Sequence, residues 1–573
     1  MLLIPSLLLV RPMVFGVIVA LVLSSPAYAR SYYVAPDGND SNDGSAANHF
    51  LTIHHAAGLA MAGDVIEVAP GEYRNESIVF SHSGQQGRPI TLRAASGANV
   101  LVKGSLPVSG WKKTSDGIYV AKNWSFYFGA YSASAGDARG MARNQVFVGG
   151  VIQEEVSALN KIKPGCFYLD PETKAIYLQT IDGGDPNNRP VEVTATAGPL
   201  LDTNGQNFIV IEGIKFCHCA NEPQEKAMVR LSGGSNCLVK DCQAQWASGA
   251  GITVTGTDQL LQSSQFNNNG QLGIHSSKSV RLRVEHCETS RNNLHPGKTF
   301  NPAWEAGGNK FSRSQGCVVD GHRADDNHGP GIWFDVDNEN ATIINSLCTR
   351  NMIGIQYEIS YTALIANNVC VNQALHKGDI TGPPVLQGIY ISSSAGCKVF
   401  NNTCYGNPKG GIDVSGPVRG DGAGRPVYSY ANLIYNNIVA ENQKIGNSKS
   451  FAVPVADSPD PKLVNPYVPF APNISDYNLF YYSGKGAFFI APNSRPTTLA
   501  EWQRDTGEDR HSRWGDPAFV NPGQGDFTLK SQSPAINCGK VLDEIVRDAA
   551  GRPRLGVVRD AGAFEYTHAP SPP

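Results

Sequence analysis

The sequence predicts an all-β protein, a right-handed parallel β-helix. Three observations carry this: a short strand motif that returns at a fixed interval, asparagine and glycine at the same corners of each interval, and a chain poor in charge. The motif reads GIWFD at 331–335, GIQYE at 354–358, GIYIS at 388–392 and GIDVS at 411–415, with earlier versions GITVT at 251–255 and GIHSS at 273–277. Ile332 to Ile355 and Ile389 to Ile412 are both steps of 23 residues, and the longer step between Ile355 and Ile389 contains an inserted loop. A second motif precedes each of the four later strands: CVVDGH at 317–322, ATIINS at 341–346, ALIANN at 363–368 and CKVFNN at 397–402, followed two residues later by Ala324, Cys348, Cys370 and Cys404. A coil of this length cannot bury its own core, so the coils must stack. The leucine-rich consensus of a horseshoe repeat is missing.

Each part of the chain takes its place around that stack. Residues 1–29 read as a secretory signal peptide: Arg11, an apolar run from Met13 to Leu23, then an A-x-A pattern ending at Ala29. The run is shorter than the roughly 20 residues of a membrane span, so a secreted protein free of the membrane after cleavage is expected, extracellular or periplasmic. Residues 30–110 supply an N-terminal cap and the first coils, with an amphipathic stretch from Thr52 to Met61 predicted as a short helix over the open end of the stack. In residues 111–190 the coil pattern lapses into hairpin-like text, read as an inserted antiparallel β lobe. The main β-helix follows at 191–476, C-terminal coils and a cap at 477–566, and a proline-rich tail at 567–573, expected to be mobile.

Charge excludes some partners. Lys and Arg number 47 against 50 Asp and Glu, a net charge of −3, which gives no basic field for nucleic acid. Twelve cysteines in an exported chain would suggest disulfides, but their recurrence at repeat positions assigns most of them to inward stacks, where Cys acts as a small apolar residue. Asn345, Asn367, Asn401 and Asn436 recur as corner residues that satisfy backbone groups.

Chemistry is expected where the repeat breaks. Strand alternation turns Ile332, Phe334, Ile355 and Tyr357 inward, and Trp333, Asp335, Gln356 and Glu358 outward. Asp335 and Glu358 thus share one outward column on adjacent coils, where the other members are Thr255, Ser277, Ser312, Ser392 and Ser415. Stacked strands lie about 4.8 Å apart, close to the 5 to 5.5 Å between the two carboxyl groups of a retaining glycosidase. Like charges on neighbouring strands repel, which pushes one carboxyl toward its protonated form and suits a division into acid and nucleophile. Two alternatives remain from the residues alone: solvated carboxylates splayed apart, or a calcium site completed by Asp337 and Asn338. The neighbouring column runs His275, Lys310, Trp333, Gln356, Tyr390, Asp413, and insertions at 291–307, 374–386 and 416–431 border the same face. They predict a groove in which outward Trp333 is a platform for a sugar ring, with Glu305 and His328 joining from turns.

The opening YYVAPDGN at 32–39, the inserted lobe, the run NHGPGIWFDVDN at 327–338, the GIQYEIS coil at 354–360 and the closing AGAFEY at 561–566 resemble exported β-helical carbohydrate-active enzymes. The resemblance is to glycoside hydrolases of the β-xylosidase type with a lobe inserted in the helix. It implies Asp335 as nucleophile and Glu358 as acid/base, and a polysaccharide or oligosaccharide as substrate. Glu305 and Lys310 also resemble the calcium ligand and lysine base of β-helical polysaccharide lyases. Such lyases, however, carry an Arg on the following coil, where this chain has Asp335. A lyase or uronate epimerase using Lys310 as base therefore ranks second, and a non-catalytic carbohydrate-binding β-helix third. No cofactor is implied beyond the calcium alternative.

Overall fold

The structure is a computed structural model that describes residues 29–114, 117–129, 143–297, 299–375, 386–415, 418–442, 451–452, 468, 471–484, 489–490 and 496–567. The predicted signal peptide lies outside the described residues apart from Ala29, and the predicted tail apart from Thr567. Among the described residues no helix is long and apolar enough to cross a membrane.

Strands stack in parallel along three faces. One face is a 13-stranded sheet from Ser31–Val34 to Ile474–Asp476, and a second is a 13-stranded sheet from Ile78–Val79 to Pro496–Thr497, parallel up to its last pair. The third face is divided between a four-stranded sheet and an eight-stranded one that begins at Glu288–Ser290. The apolar alternation of the sequence becomes interior stacking: Ile332 lies in register with Ile355, then Ile389, then Ile412. The Phe311 and Phe334 rings stack with centroids 4.4 Å apart and planes 10° from parallel, and Tyr357 follows at 5.8 Å. Cys348, Cys370 and Cys404 form a column of buried free thiols on successive rungs.

The corner asparagines divide into two kinds. Asn345, Asn367, Asn401 and Asn436 have left-handed φ of 54°, 57°, 53° and 59°, as turn residues, and it is the next residue that points inward. Asn368 donates through Nδ2 to Asn402 Oδ1, Asn402 to Asn437, and Asn437 to Asn478, each at 3.0 Å. Each also gives a bond to a backbone carbonyl, as Asn402 does to Ile365 at 2.8 Å. This ladder feeds polar groups that would otherwise be unpaired in a dry core. The four outer residues instead face outward, where Asn367, Asn401 and Asn436 bind carbonyls of Arg547, Asp560 and Lys540 and hold the C-terminal segment against the stack.

The N-terminal end is covered by the helix Ile53–Leu59. Thr52 accepts from the His55 amide, and the buried Glu76 carboxylate accepts from the amides of Ile53 and His54. Antiparallel pairing in the inserted lobe reaches from Ser105–Pro107 to Val191–Thr194, wider than the hairpin-like text of the sequence, because these two strands pair with each other and alternate as coil strands do. Its own core contains Trp111, Phe167, Ile176 and Leu178. At the other end the helix Leu499–Thr506 carries a capping box of Thr498 and Glu501 and buries Trp502.

Candidate functional site

The site lies on the second face, where four coils contribute Gly307–Ser312, Pro330–Asp335, Ile353–Glu358 and Gln387–Ser392. The two columns are in the register expected: Asp335 pairs with Glu358 and then Ser392, while Thr253, His275, Lys310, Trp333, Gln356, Tyr390 and Asp413 follow one another.

Lys310 is the hub. Its Nζ lies 2.9 Å from Asp335 Oδ2 and 3.2 Å from Glu305 Oε1, donates to the Trp304 carbonyl at 2.8 Å, and stands over the Trp333 ring at 3.9 Å. The other oxygen of Asp335, Oδ1, is buried and has no hydrogen-bond partner among the described residues. A buried acceptor left unpaired costs on the order of 1–3 kcal/mol, so a ligand group that completes it binds against a standing deficit. Glu358 is surrounded by donors: Arg419 at 2.5 Å on Oε1, with Trp333 Nε1 at 3.1 Å and Gln356 Nε2 at 2.6 Å on Oε2. Burial, and then the charge of Asp335, push the Glu358 carboxyl above its ordinary value, and Arg419 and the Trp333 N–H oppose them. The pair thus stands in two environments, one acid held by an ammonium and the other raised by desolvation.

The open aromatic groove expected from the sequence is corrected by burial. Trp333 is 2% exposed and Lys310 4%, with the Trp304 carbonyl set against the Lys310 ammonium. Trp333 cannot serve as a sugar platform, since the Lys310 ammonium occupies its ring. Gln356 is likewise buried and orients Glu358. His275 is buried one rung before Lys310, its Nδ1 2.9 Å from Thr253 Oγ1, and His328 is buried in a turn whose carbonyl accepts from Asn293. Asp413, two rungs beyond Glu358, is buried and accepts from Gln387 Nε2 at 3.2 Å. Tyr390 and Glu305 are half-buried. The structure therefore brings together Asp335, Glu358, Lys310, Trp333, Gln356 and Glu305, and leaves His275, His328, Tyr390 and Asp413 around them.

The calcium alternative is not assembled. Left-handed residues Val336 and Asp337, with φ of 61° and 56°, turn the chain so that Asn338 points inward to Ser360 Oγ and the Phe311 carbonyl, while Asp337 accepts from the Gly422 amide. Among the described residues no group of three His, Cys, Asp or Glu side chains is placed to hold a metal ion.

Two residues escaped the sequence reading. Arg419 comes from the insertion after the last column strand, 61 residues from its partner, and only the bordering position of that insertion pointed to it. Trp304 is 38% exposed in the loop whose carbonyl holds Lys310, and supplies the accessible aromatic surface that Trp333 does not.

Residues 227–382 match the family model described as right handed beta helix region, and residues 36–79 match one described as protein of unknown function (DUF1565). Pectate lyase L of Dickeya dadantii (strain 3937) is 34% identical over 114 residues, which is 19% of this chain and 27% of that protein. The uncharacterized protein YwoF of Bacillus subtilis (strain 168) is 39% identical over 72 residues, 13% of this chain and 15% of that protein. The matches thus span about a quarter or less of the length of these curated relatives. Among solved structures, the complex of XylC with xylose superposes with a TM-score of 0.66 at 16% identity, covering 93% of this chain and 98% of that one. The chain folds as a right-handed parallel β-helix, in its central coils by sequence and over nearly all its length by structure.

Proposed function

We propose that this protein is a retaining glycoside hydrolase acting on a polysaccharide or its oligosaccharides, with Asp335 as nucleophile and Glu358 as acid/base. The observation that carries the reading is the register pairing of two acids in contrasting environments, Asp335 on Lys310 and Glu358 raised by burial. In the first step Glu358 gives its proton to the departing glycosidic oxygen, as an Asp335 oxygen forms a bond to the anomeric carbon. In the second, Glu358 takes a proton from water, whose oxygen replaces Asp335 at that carbon. Lys310 stabilises the Asp335 carboxylate when the sugar departs. Export of the protein and a sugar substrate belong to the same proposal.

A second reading, a lyase or epimerase, is favoured by the match to pectate lyase L and by the contact between Lys310 and Glu305. It requires Lys310 to abstract a proton. In the present arrangement Lys310 Nζ is turned toward three oxygen acceptors and a ring face of the protein itself. Product assays across a polysaccharide panel separate the two: new reducing ends without unsaturated-uronate absorbance support the hydrolase, and appearance of that absorbance supports the lyase. Binding without either product returns the protein to a carbohydrate-binding role.

A further inference from the structure

Arg419 reaches the site on a strap built for the purpose. The strands Arg419–Gly420 and Pro426–Val427 pair antiparallel, and the turn between them is tied at two points. The Asp421 carboxylate accepts the amides of Ala423 and Arg425, the Arg425 Nε at 2.6 Å, and, at 3.2 Å, the hydroxyl of Tyr361 on the strand that follows Glu358. The Gly422 amide donates at 3.1 Å to Asp337, two residues after Asp335, and a Cβ at Gly422 would stand 2.2 Å from that carboxylate. So anchored, the guanidinium spans two rungs of the acid column. One nitrogen reaches Glu358 Oε1 at 2.5 Å and Ser392 Oγ at 2.9 Å, and Nε reaches Ser393 Oγ at 3.2 Å.

We propose that Arg419 is a positioning residue for Glu358: docked on Oε1 from its anchored strap, it fixes the orientation of the carboxyl group and sets the pH at which that group takes up the proton used in the acid step. The inference rests on the acid/base assignment of Glu358. Among the described residues Glu358 meets three donors for about four lone-pair sites, and Oε1 meets Arg419, so the oxygen that keeps a site for the proton is the one Arg419 holds. Trp333 and Gln356 are fixed on the strands and buried, whereas the Arg419 side chain is 32% exposed. The charged groups facing Glu358 are Asp335 from the preceding strand and Arg419 from the strap; Lys310 and Glu305 act through Asp335, and Asp421 and Arg425 pair with each other. Arg419 lowers the proton affinity of Glu358. Its removal therefore keeps Glu358 protonated to higher pH.

The test uses the full chain with Arg419→Met, Arg419→Lys and Gly422→Ala, the last displacing the strap with Arg419 still present. Infrared titration of the carboxyl band that Glu358→Gln deletes should move to higher pH in Arg419→Met by roughly one unit or more, return toward wild type in Arg419→Lys, and move part of the way in Gly422→Ala. On the best substrate the basic limb of kcat/KM should move with it. An unchanged titration in folded Arg419→Met, or in Gly422→Ala if that variant alone folds, overturns the inference whatever the reaction. Failure of the hydrolase reading would appear instead in the products, as unsaturated uronate, so the two failures are distinguishable.

Discussion

The inner and outer faces of the same strands obey opposite rules. Inside the coils Phe311, Phe334 and Tyr357 repeat like on like, and Asn402, Asn437 and Asn478 pass hydrogen bonds from rung to rung. Outside, successive rungs carry lysine, tryptophan and glutamine beside two stacked acids, each different from its neighbour in the first column. Repetition is what a solenoid needs to bury its core, and its breakdown along two short columns marks where stability has been given up for something else.

The contrast predicts separate phenotypes. Phe334→Ala removes an aromatic that stacks on Phe311 and lies tilted beside Tyr357, and should destabilise by about 3–5 kcal/mol, measured by chemical denaturation, with little change in substrate specificity. A loss well under 1 kcal/mol would mean that the rungs do not depend on one another. His322 offers a pH test of the interior. Burial pushes its imidazole down to about 3, and its Nε2 lies 2.8 Å from Thr289 Oγ1. Because the folded state resists protonation while the unfolded state accepts it near pH 6.5, stability from this residue is complete above that value and falls as pH drops toward 3. The slope should approach 1.4 kcal/mol per pH unit, and His322→Gln should flatten it. Equal acid sensitivity in the two proteins would locate the effect elsewhere.

On the outer face, Glu358→Gln sets an amide NH2 group against donors and should cost on the order of 1–3 kcal/mol while the chain still folds, and it should lower turnover more on substrates with poor leaving groups than on an activated aryl glycoside, since the proton matters most to a basic departing oxygen. Equal losses on both would make Glu358 structural. The smallest effect is expected at two buried thiols of the earlier coils. Burial pushes the thiols of Cys219 and Cys242 up to about 12, so they should ignore a thiol reagent in the native protein and react on unfolding. Rapid native labelling would show that the coils open.

The sequence made the interior legible because alternation and period act over many coils, and a register read from Ile332 and Ile355 carries Asp335 onto Glu358 without further information. It could not show what covers the strip. Whether Trp333 faces solvent depends on loops with no period, and Arg419 enters from such a loop. Likewise a pair of asparagines in the text does not say which is the turn and which the ladder; the left-handed φ of Asn401 decides that Asn402 points in. At Val336 and Asp337 the same conformation sends Asn338 into the core and dissolves the calcium set.

The central claim, an Asp335 nucleophile served by Glu358 from the next coil, is tested most directly by trapping. In Glu358→Gln an activated aryl glycoside should still be attacked, because its leaving group needs little acid, while water lacks its base and the glycosyl-enzyme accumulates. Peptide mass spectrometry after a rapid acid quench should find one glycosyl residue attached at Asp335. Turnover of that substrate with no adduct, or an adduct on another residue, would contradict the account.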